Sequence, residues 1–377
     1  MNHRERFHAV LNYEKYDRMP IVHFGFWGET LEKWAAESHI PNELAVSYKD
    51  NSPQDKEITR MLGFDYNVFS VIGDKSTRQI AQLYPPFEEG VVEEMPDGSQ
   101  KYMTFYGVME RRIPGLQSIN DELDWLFKDR KSWEELFLPK LRYTPDRVDW
   151  EVIEDAKKTS ATREYPLGIH LGSLYGQLRT MLGILNISYV TVDDPKLYDE
   201  MIDAIGRLCY DRTRAILSSG IAFDFGHFWE DICYKNGSLI RPSIFAEKVG
   251  PWYKKITDLA KSFGITIFPL DCDGMIDDLV PIWLENGVNT MFPIEVGTWD
   301  GSIAKWRKKY GKQVRGIGGV RKHVLAEDRQ AIDDEIERIR VLTELGGYLP
   351  CFDHRVAPDA EWDLVLYYAD RFRKVFG

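Results

Sequence analysis

The stretch from Phe268 to Asp278, FPLDCDGMIDD, ends an apolar run in two aspartates that flank a cysteine, followed by a glycine and a helix-like pattern. Alternate side chains of a β-strand share a face. Asp271 and Asp273 therefore project together and Leu270 and Cys272 oppositely, provided the strand continues to Gly274. Other apolar runs close on comparable residues: Trp27, His170 and Tyr175, His227, Trp229, Glu230 and Asp231, Glu295, then Asp353 and His354. Carboxylates and imidazoles gathered from several segments can ligate zinc, manganese or iron. They can also exchange protons as acid and base, or merely cap helices and pair with Arg179, Arg321 and Lys322. The last role is the commonest for any single aspartate. Convergence of several shifts the balance, because crowded carboxylates need a cation, basic partners or raised pKa values. Trp27, Tyr175 and Trp229, with Phe24, Phe26, Phe228 and Phe352, would add flat apolar walls suited to a planar ring, although aromatic residues also seal barrels. Cys272 faces away from the two aspartates and reads, like Cys209 and Cys233, as a small buried hydrophobe, whereas Cys351 stands close enough to His354 to be a minor candidate.

Eight short apolar runs must position these residues, each usually followed by a stretch of helical periodicity: RMPIVHFGFWG, FDYNVFSVIG, YPLGIHLGSLYG, GIAFDFGHFWED, GITIFPLDCDG, GVNTMFPIEVG, VRGIGGV and GYLPCFDHRV. Buried parallel strands have this form. Asp194 is placed to cap a helix that begins at Pro195 and carries Leu197, Met201, Ile205 and Leu208 on one stripe. A second helix is expected over 326–345, and Gly250-Pro251 should break or kink the one that follows Pro242. Eight strand-then-helix units without a GxGxxG turn predict a (β/α)8 TIM barrel over 1–377, one domain with its site at the C-terminal ends of the strands. The rhythm is interrupted after the second strand by an expected β-hairpin over 86–113, around Pro96-Asp97-Gly98, that could roof the mouth. A helical elaboration is expected over 114–164.

With 48 basic and 60 acidic residues the chain has a net charge of −12, which repels nucleic acid and anionic membranes. Four cysteines without a CxxC fit a reducing compartment. A charged N-terminus and the lack of any membrane-length apolar run complete the expectation of a cytoplasmic protein.

Over nearly its whole length the sequence resembles the uroporphyrinogen decarboxylase superfamily. The resemblance is carried by RERFHAVLNYEKYDRMPI, WEDICYKNGSLIRPSIFAEKVGPWYKKI, GGVRKHVLA and GGYLPCFDHRVAPDAEWDLVLYY. It implies the same barrel and one of two chemistries: decarboxylation of porphyrinogen acetates, or zinc-dependent methyl transfer to or from corrinoid proteins and thiols. The decarboxylases carry an arginine-rich segment after the first strand, where this chain has FGFWGETLEKW. Their aspartate after the second strand falls on Val71 and their tyrosine near Thr180, so only the late histidine, His354, is kept. The methyltransferases hold zinc through His-x-Cys after the fifth strand and a late Cys. LDCDG occupies the first position, so Asp271 and Asp273 would stand for His and Cys, and His354 for the late Cys, with Glu295 beside them.

Such an oxygen and imidazole set suits an oxygen leaving group better than a thiol. The resemblance therefore implies an enzyme that demethylates a methoxylated aromatic compound and passes the methyl group to a corrinoid protein. Glu230 or a metal would neutralise the departing oxygen. The expected partners are a small-molecule substrate, the corrinoid protein and a second copy in a homodimer. The alternative is a metal-free decarboxylase acting on a porphyrinogen or smaller carboxylated ring.

Overall fold

Apolar runs bounded by glycine or polar residues become strands covered by helices. The computed structural model describes residues 1–73, 82–114 and 120–377. In chain order the strands are β1 (Val22–His23), β2 (Tyr66–Asn67), β3 (Val71–Ile72), β4 (Gly90–Glu94), β5 (Gln100–Met103), β6 (Val108–Arg112), β7 (Asp121–Trp125), β8 (Gly168–Gly172), β9 (Phe225–Trp229), β10 (Cys233–Tyr234), β11 (Gly237–Ser238), β12 (Pro269–Asp271), β13 (Thr290–Ile294), β14 (Arg315–Val320) and β15 (Tyr348–Phe352). Seven form one sheet in the order β15-β14-β13-β12-β9-β8-β3, all of whose pairs are parallel, and β1 pairs in parallel with β2. The expected second strand is thus realised as two pieces, β2 and β3. Among the described residues no helix is long and apolar enough to cross a membrane.

Helix Pro195–Leu217 begins as its sequence dictates: the Asp194 side chain accepts from the Leu197 amide, Pro195 takes the first turn, and Leu197, Met201, Ile205 and Leu208 are buried. After Pro242 the chain stays helical to Ser262, as one helical turn, a π turn over Phe245–Val249 and a helix over Gly250–Ser262, so Gly250-Pro251 does not break it and the irregularity is the wider turn just before it. The helix expected over 326–345 spans Arg329–Thr343 instead. Asp328 caps the Ala331 amide, and Lys322–Ala326 forms a separate 3-10 turn.

The inserted region differs from the expected hairpin. Strands β4 and β5 do pair antiparallel about the turn at Pro96-Asp97-Gly98, but they are half of a four-stranded antiparallel sheet, β4-β5-β6-β7. Asp121–Trp125, expected within the helical elaboration, supplies the fourth strand. Its register sets Asp121 opposite Arg111 and Trp125 opposite Val108, cross-strand pairs that stabilise an otherwise acidic edge. Residues 115–119 lie outside the described residues. Helical turns follow at Arg130–Ser132, Trp133–Phe137 and Trp150–Thr159.

One buried carboxylate ties the N-terminal helix His3–Leu11 to the sheet. Asp224, just before β9, accepts from Arg4 Nε at 2.6 Å, His8 Nε2 at 2.8 Å, Arg163 Nη2 at 2.5 Å and the Leu167 amide at 2.9 Å. Burial raises its pKa, but these donors outweigh that and hold it at about 2. A carboxyl depressed on folding stabilises above its unfolded pKa and loses that contribution as pH falls through its folded value. Acid should therefore weaken this anchorage between about pH 4 and pH 2. Asp224→Ala, which strands Arg163 without a counter-charge, should cost about 3 kcal/mol by denaturant unfolding and abolish that acid limb. A cost within experimental error of zero would remove Asp224 from this role.

Candidate active site

A cavity of ≈ 890 Å³ opens at the C-terminal ends of the strands. Phe24, Phe26 and Trp27 enter it from beyond β1, His170 from β8, Trp229 from β9 and Asp231 from just beyond it, Asp271 from β12 and Asp273 from just beyond it, and His354 and Arg355 from beyond β15. The inserted sheet also reaches it. Thr104, Phe105 and Tyr106, in the turn joining β5 to β6, contribute to the wall with Glu110, Arg112 and Asn120. The turn at Asp97-Gly98 is not among the lining residues.

Three acids meet at one point in this cavity. Asp231, Asp271 and Asp273 each offer a carboxylate oxygen within 4.8 Å of the other two. Strand β12 ends at Asp271, yet the chain keeps its direction, because the Cys272 amide donates to Phe292 O at 2.9 Å and the Asp273 amide to Asp231 Oδ1 at 3.1 Å. Asp231 adopts φ +50°, a left-handed conformation uncommon for a residue other than glycine. Burial, and then the charge of Asp273, push the Asp231 carboxyl up to about 7; burial, then Asp231 and Asp273, raise Asp271 well above the usual range. His354 Nε2 stands 3.5 Å from Asp273 Oδ2, and its ring stacks on Trp27 at 5.6 Å and 15°.

The arrangement of the sequence-predicted residues is thus selective. Trp27, His170, Trp229, Asp231, Asp271, Asp273 and His354 come together around the cavity. Asp231, one of the residues that close the apolar runs, stands in the acid cluster. Glu230 does not reach the cavity and is not placed to act as the general acid expected from sequence. Alternation turns it to the opposite face of β9, where it is fully buried and accepts from the Leu174 amide at 2.7 Å, the Gly176 amide at 2.5 Å and the Tyr253 hydroxyl. Burial raises it to about 7 against the pull of these donors. Tyr175 is buried in the helix Tyr175–Leu182 beside that socket rather than in the cavity wall. Glu295 stands behind the cluster and outside its mutually close set, accepting from the Gly274 amide at 2.5 Å and Thr298 Oγ1 at 2.9 Å. His227 lies beneath the acids, edge-on to Phe69 at 4.9 Å, with Asp271 Oδ2 3.9 Å away; burial lowers its pKa to about 3 and keeps the ring neutral.

Some cavity residues carry no sequence signal of function. Arg355 donates to Asp50 at 2.6 and 3.2 Å, and Gly25, at φ +99°, leaves room for its guanidinium, which a Cβ would strike. Arg112 lies 3.4 Å from the Tyr102 ring and donates to Glu110, which Asn120 also contacts. Arg179 lies 5.9 Å from the Trp229 ring, and its charge counteracts the raised pKa of Asp231. Arg321 instead donates to Glu335, and the Lys322 amide donates to Asp353.

The donor set fits a hard divalent cation: three carboxylates with oxygens in reach of one another and an imidazole beside them. It does not reproduce a thiolate zinc site, since Cys272 and Cys351 are buried, and the Cys272 sulfur is 3.4 Å from the Ile232 amide. Acids raised on folding stabilise at low pH and lose that contribution as pH rises from the unfolded to the folded pKa. Melting temperature should therefore fall as pH rises between about 4 and 7. Added manganese or zinc should restore it at neutral pH in the parent but not in Asp273→Ala. Equal metal content and equal shifts in both proteins would eliminate a cation at this point.

No family model matches the chain, and no curated protein matches it in sequence. Among solved structures, a methyltransferase from Methanosarcina mazei superposes with a TM-score of 0.62 at 14% identity, covering 99% of each chain. A B12-independent methionine synthase from Shewanella gives 0.38 at 12% identity, over 59% of this chain and 66% of its own. The chain thus shares the overall fold of the Methanosarcina methyltransferase.

Proposed function

We propose that the protein is a methyltransferase of the uroporphyrinogen decarboxylase superfamily that removes the methyl group of a methoxylated aromatic compound and passes it to a corrinoid protein. The observation that carries this reading is the position of Asp231, a carboxyl raised to about 7, inside an aromatic-walled cavity and beside two further acids. The fold shared with the Methanosarcina methyltransferase supports the reaction class. A closed (β/α)8 barrel is the architecture we infer. The pairing of β1 with β2 runs on past Asn67, the Val68 amide donating to His23 O at 2.8 Å, and Phe26 bridges in parallel to Val356 beyond β15.

An aryl methyl ether breaks slowly because an alkoxide or phenolate leaves poorly until its charge is neutralised. Trp27, Phe105, Tyr106 and Trp229 offer flat surfaces to the ring, and the ether oxygen faces the acid cluster. Asp231, protonated in part at neutral pH, gives its proton to that oxygen as the O–CH3 bond breaks and the bonding pair stays with oxygen. Asp271 and Asp273 keep that proton available by making full ionisation of the three acids unfavourable. A reduced corrinoid on the partner protein would supply the electron pair that the methyl carbon receives in exchange. A divalent cation held by Asp231, Asp271, Asp273 and His354 would instead supply Lewis acidity at the same oxygen, in place of the proton on Asp231.

Incubated with a reduced corrinoid protein and a set of methoxyarenes, the parent enzyme should release a phenol and methylate the corrinoid. Asp231→Asn should lower kcat by about 100-fold or more, the usual loss when a positioned acid is removed. Unchanged turnover by Asp231→Asn would refute the assigned acid. Formation of coproporphyrinogen from uroporphyrinogen would refute the reaction class.

A further inference from the structure

A second cavity, of ≈ 870 Å³, lies away from the acid cluster, between helix Pro53–Met61, helix Trp150–Thr159 and the strands β2 and β3. Phe64, Val71, Ile72 and the Tyr66 ring give it an apolar wall. Three polar atoms on its lining residues have no hydrogen-bond partner among the described residues: Tyr66 Oη, Arg163 Nη1 and His3 Nδ1. Tyr66 is 8% exposed and Arg163 5%, so solvent does little to compensate them. A buried donor left unsatisfied costs stability unless something else accepts from it.

The acids around these donors already have partners, Asp155 taking Lys158, while Lys56 lies 5.5 Å from the Tyr165 ring. Asp65 takes Arg18, Arg373 and the Ile21 amide, Asp55 takes Tyr48, Asn67 and the Asn51 amide, and the other guanidinium nitrogens of Arg163 go to Asp224, Ala222 O and Tyr165 O. What remains is a hydroxyl and a guanidinium N–H beside an apolar wall, with an imidazole nitrogen able to donate when protonated there. Such a set calls for a ligand that accepts hydrogen bonds, carries negative charge and has a flat apolar body.

We infer that this second cavity is a binding site for a small organic carboxylate with an aromatic body, its carboxylate on Arg163 and Tyr66. The site is distinct from the mouth but shares a wall with it. Asn67, on the lining of the second cavity, donates to Asp50 at 3.1 Å, and Asp50 on the first cavity holds Arg355.

The probe is para-fluorobenzoate, followed by fluorine NMR titration of the full chain, with para-fluorobenzyl alcohol as the neutral control. Tyr66→Phe keeps the ring and removes only the hydroxyl, so it should fold as the parent does and bind the probe about tenfold more weakly, as expected for one hydrogen bond to a charged acceptor. Trp27→Leu, in the mouth, should leave that affinity unchanged, and the alcohol should not compete. Equal affinity of parent and Tyr66→Phe, or loss of binding in Trp27→Leu, would place the probe elsewhere and overturn the inference. An absence of saturable binding to the parent would overturn it as well.

Discussion

Three carboxylates held within reach of one another are the constraint around which the mouth of this fold is arranged. Two like charges at roughly 4 Å in a partly screened environment repel by about 4 kcal/mol, so Asp231, Asp271 and Asp273 cannot all be ionised without compensation. A shared proton or a cation must answer that repulsion, and the raised pKa values of Asp231 and Asp271 are its direct consequence. The cluster persists because the backbone leaves it little alternative. Asp231 is fixed between its φ of +50° and the hydrogen bond it accepts from the Asp273 amide, while Glu295 pins the next turn through Gly274.

Glu230 and Asp231 show how one pair of adjacent acids takes two roles. Both are raised to about 7, so pKa alone would not tell them apart. Geometry separates them. Glu230 is clamped by Leu174, Gly176 and Tyr253, a socket that fixes the start of helix Tyr175–Leu182 against β9. The approach is so close that a Cβ at position 176 would strike the Glu230 carbonyl oxygen, which only glycine avoids. The buried glutamate thus anchors the strand end from behind, and the aspartate after it faces the cavity.

The strands and the paired aspartates were legible because both rest on short-range rules. Buried parallel strands read as apolar runs, and alternation alone joins Asp271 to Asp273. The same alternation, carried along β9, sets His227 and Trp229 on one face and Glu230 on the other, so the signal that would have moved Glu230 out of the cavity was present in the sequence. Strand β7 was not legible: DELDW is acidic and has weak strand propensity, and only its pairing with β6, Asp121 against Arg111, makes it a strand. Lys49 and Asp50 come from a connecting segment between helices, where no periodicity marks a residue as facing a cavity.

The cavity's cations bear on what it can hold. Lys49, Arg112 and Arg355 line it, against Asp50, Glu110, Asp231, Asp271 and Asp273. Arg355 is already bound to Asp50 and Arg112 to Glu110, so two of the three positive charges are neutralised within the wall itself. A polycarboxylated ring entering here would have to displace those partners and approach three further acids, losing free energy at each unpaired contact. A neutral aromatic ether meets no such penalty. In the reaction proposed above its ring would lie against Trp27, Phe105 and Trp229, and the one charge its cleavage creates would develop next to Asp231. The acid cluster that disfavours anions in the ground state would then do its chemical work only as the leaving oxygen becomes negative, when a proton on Asp231 is needed most.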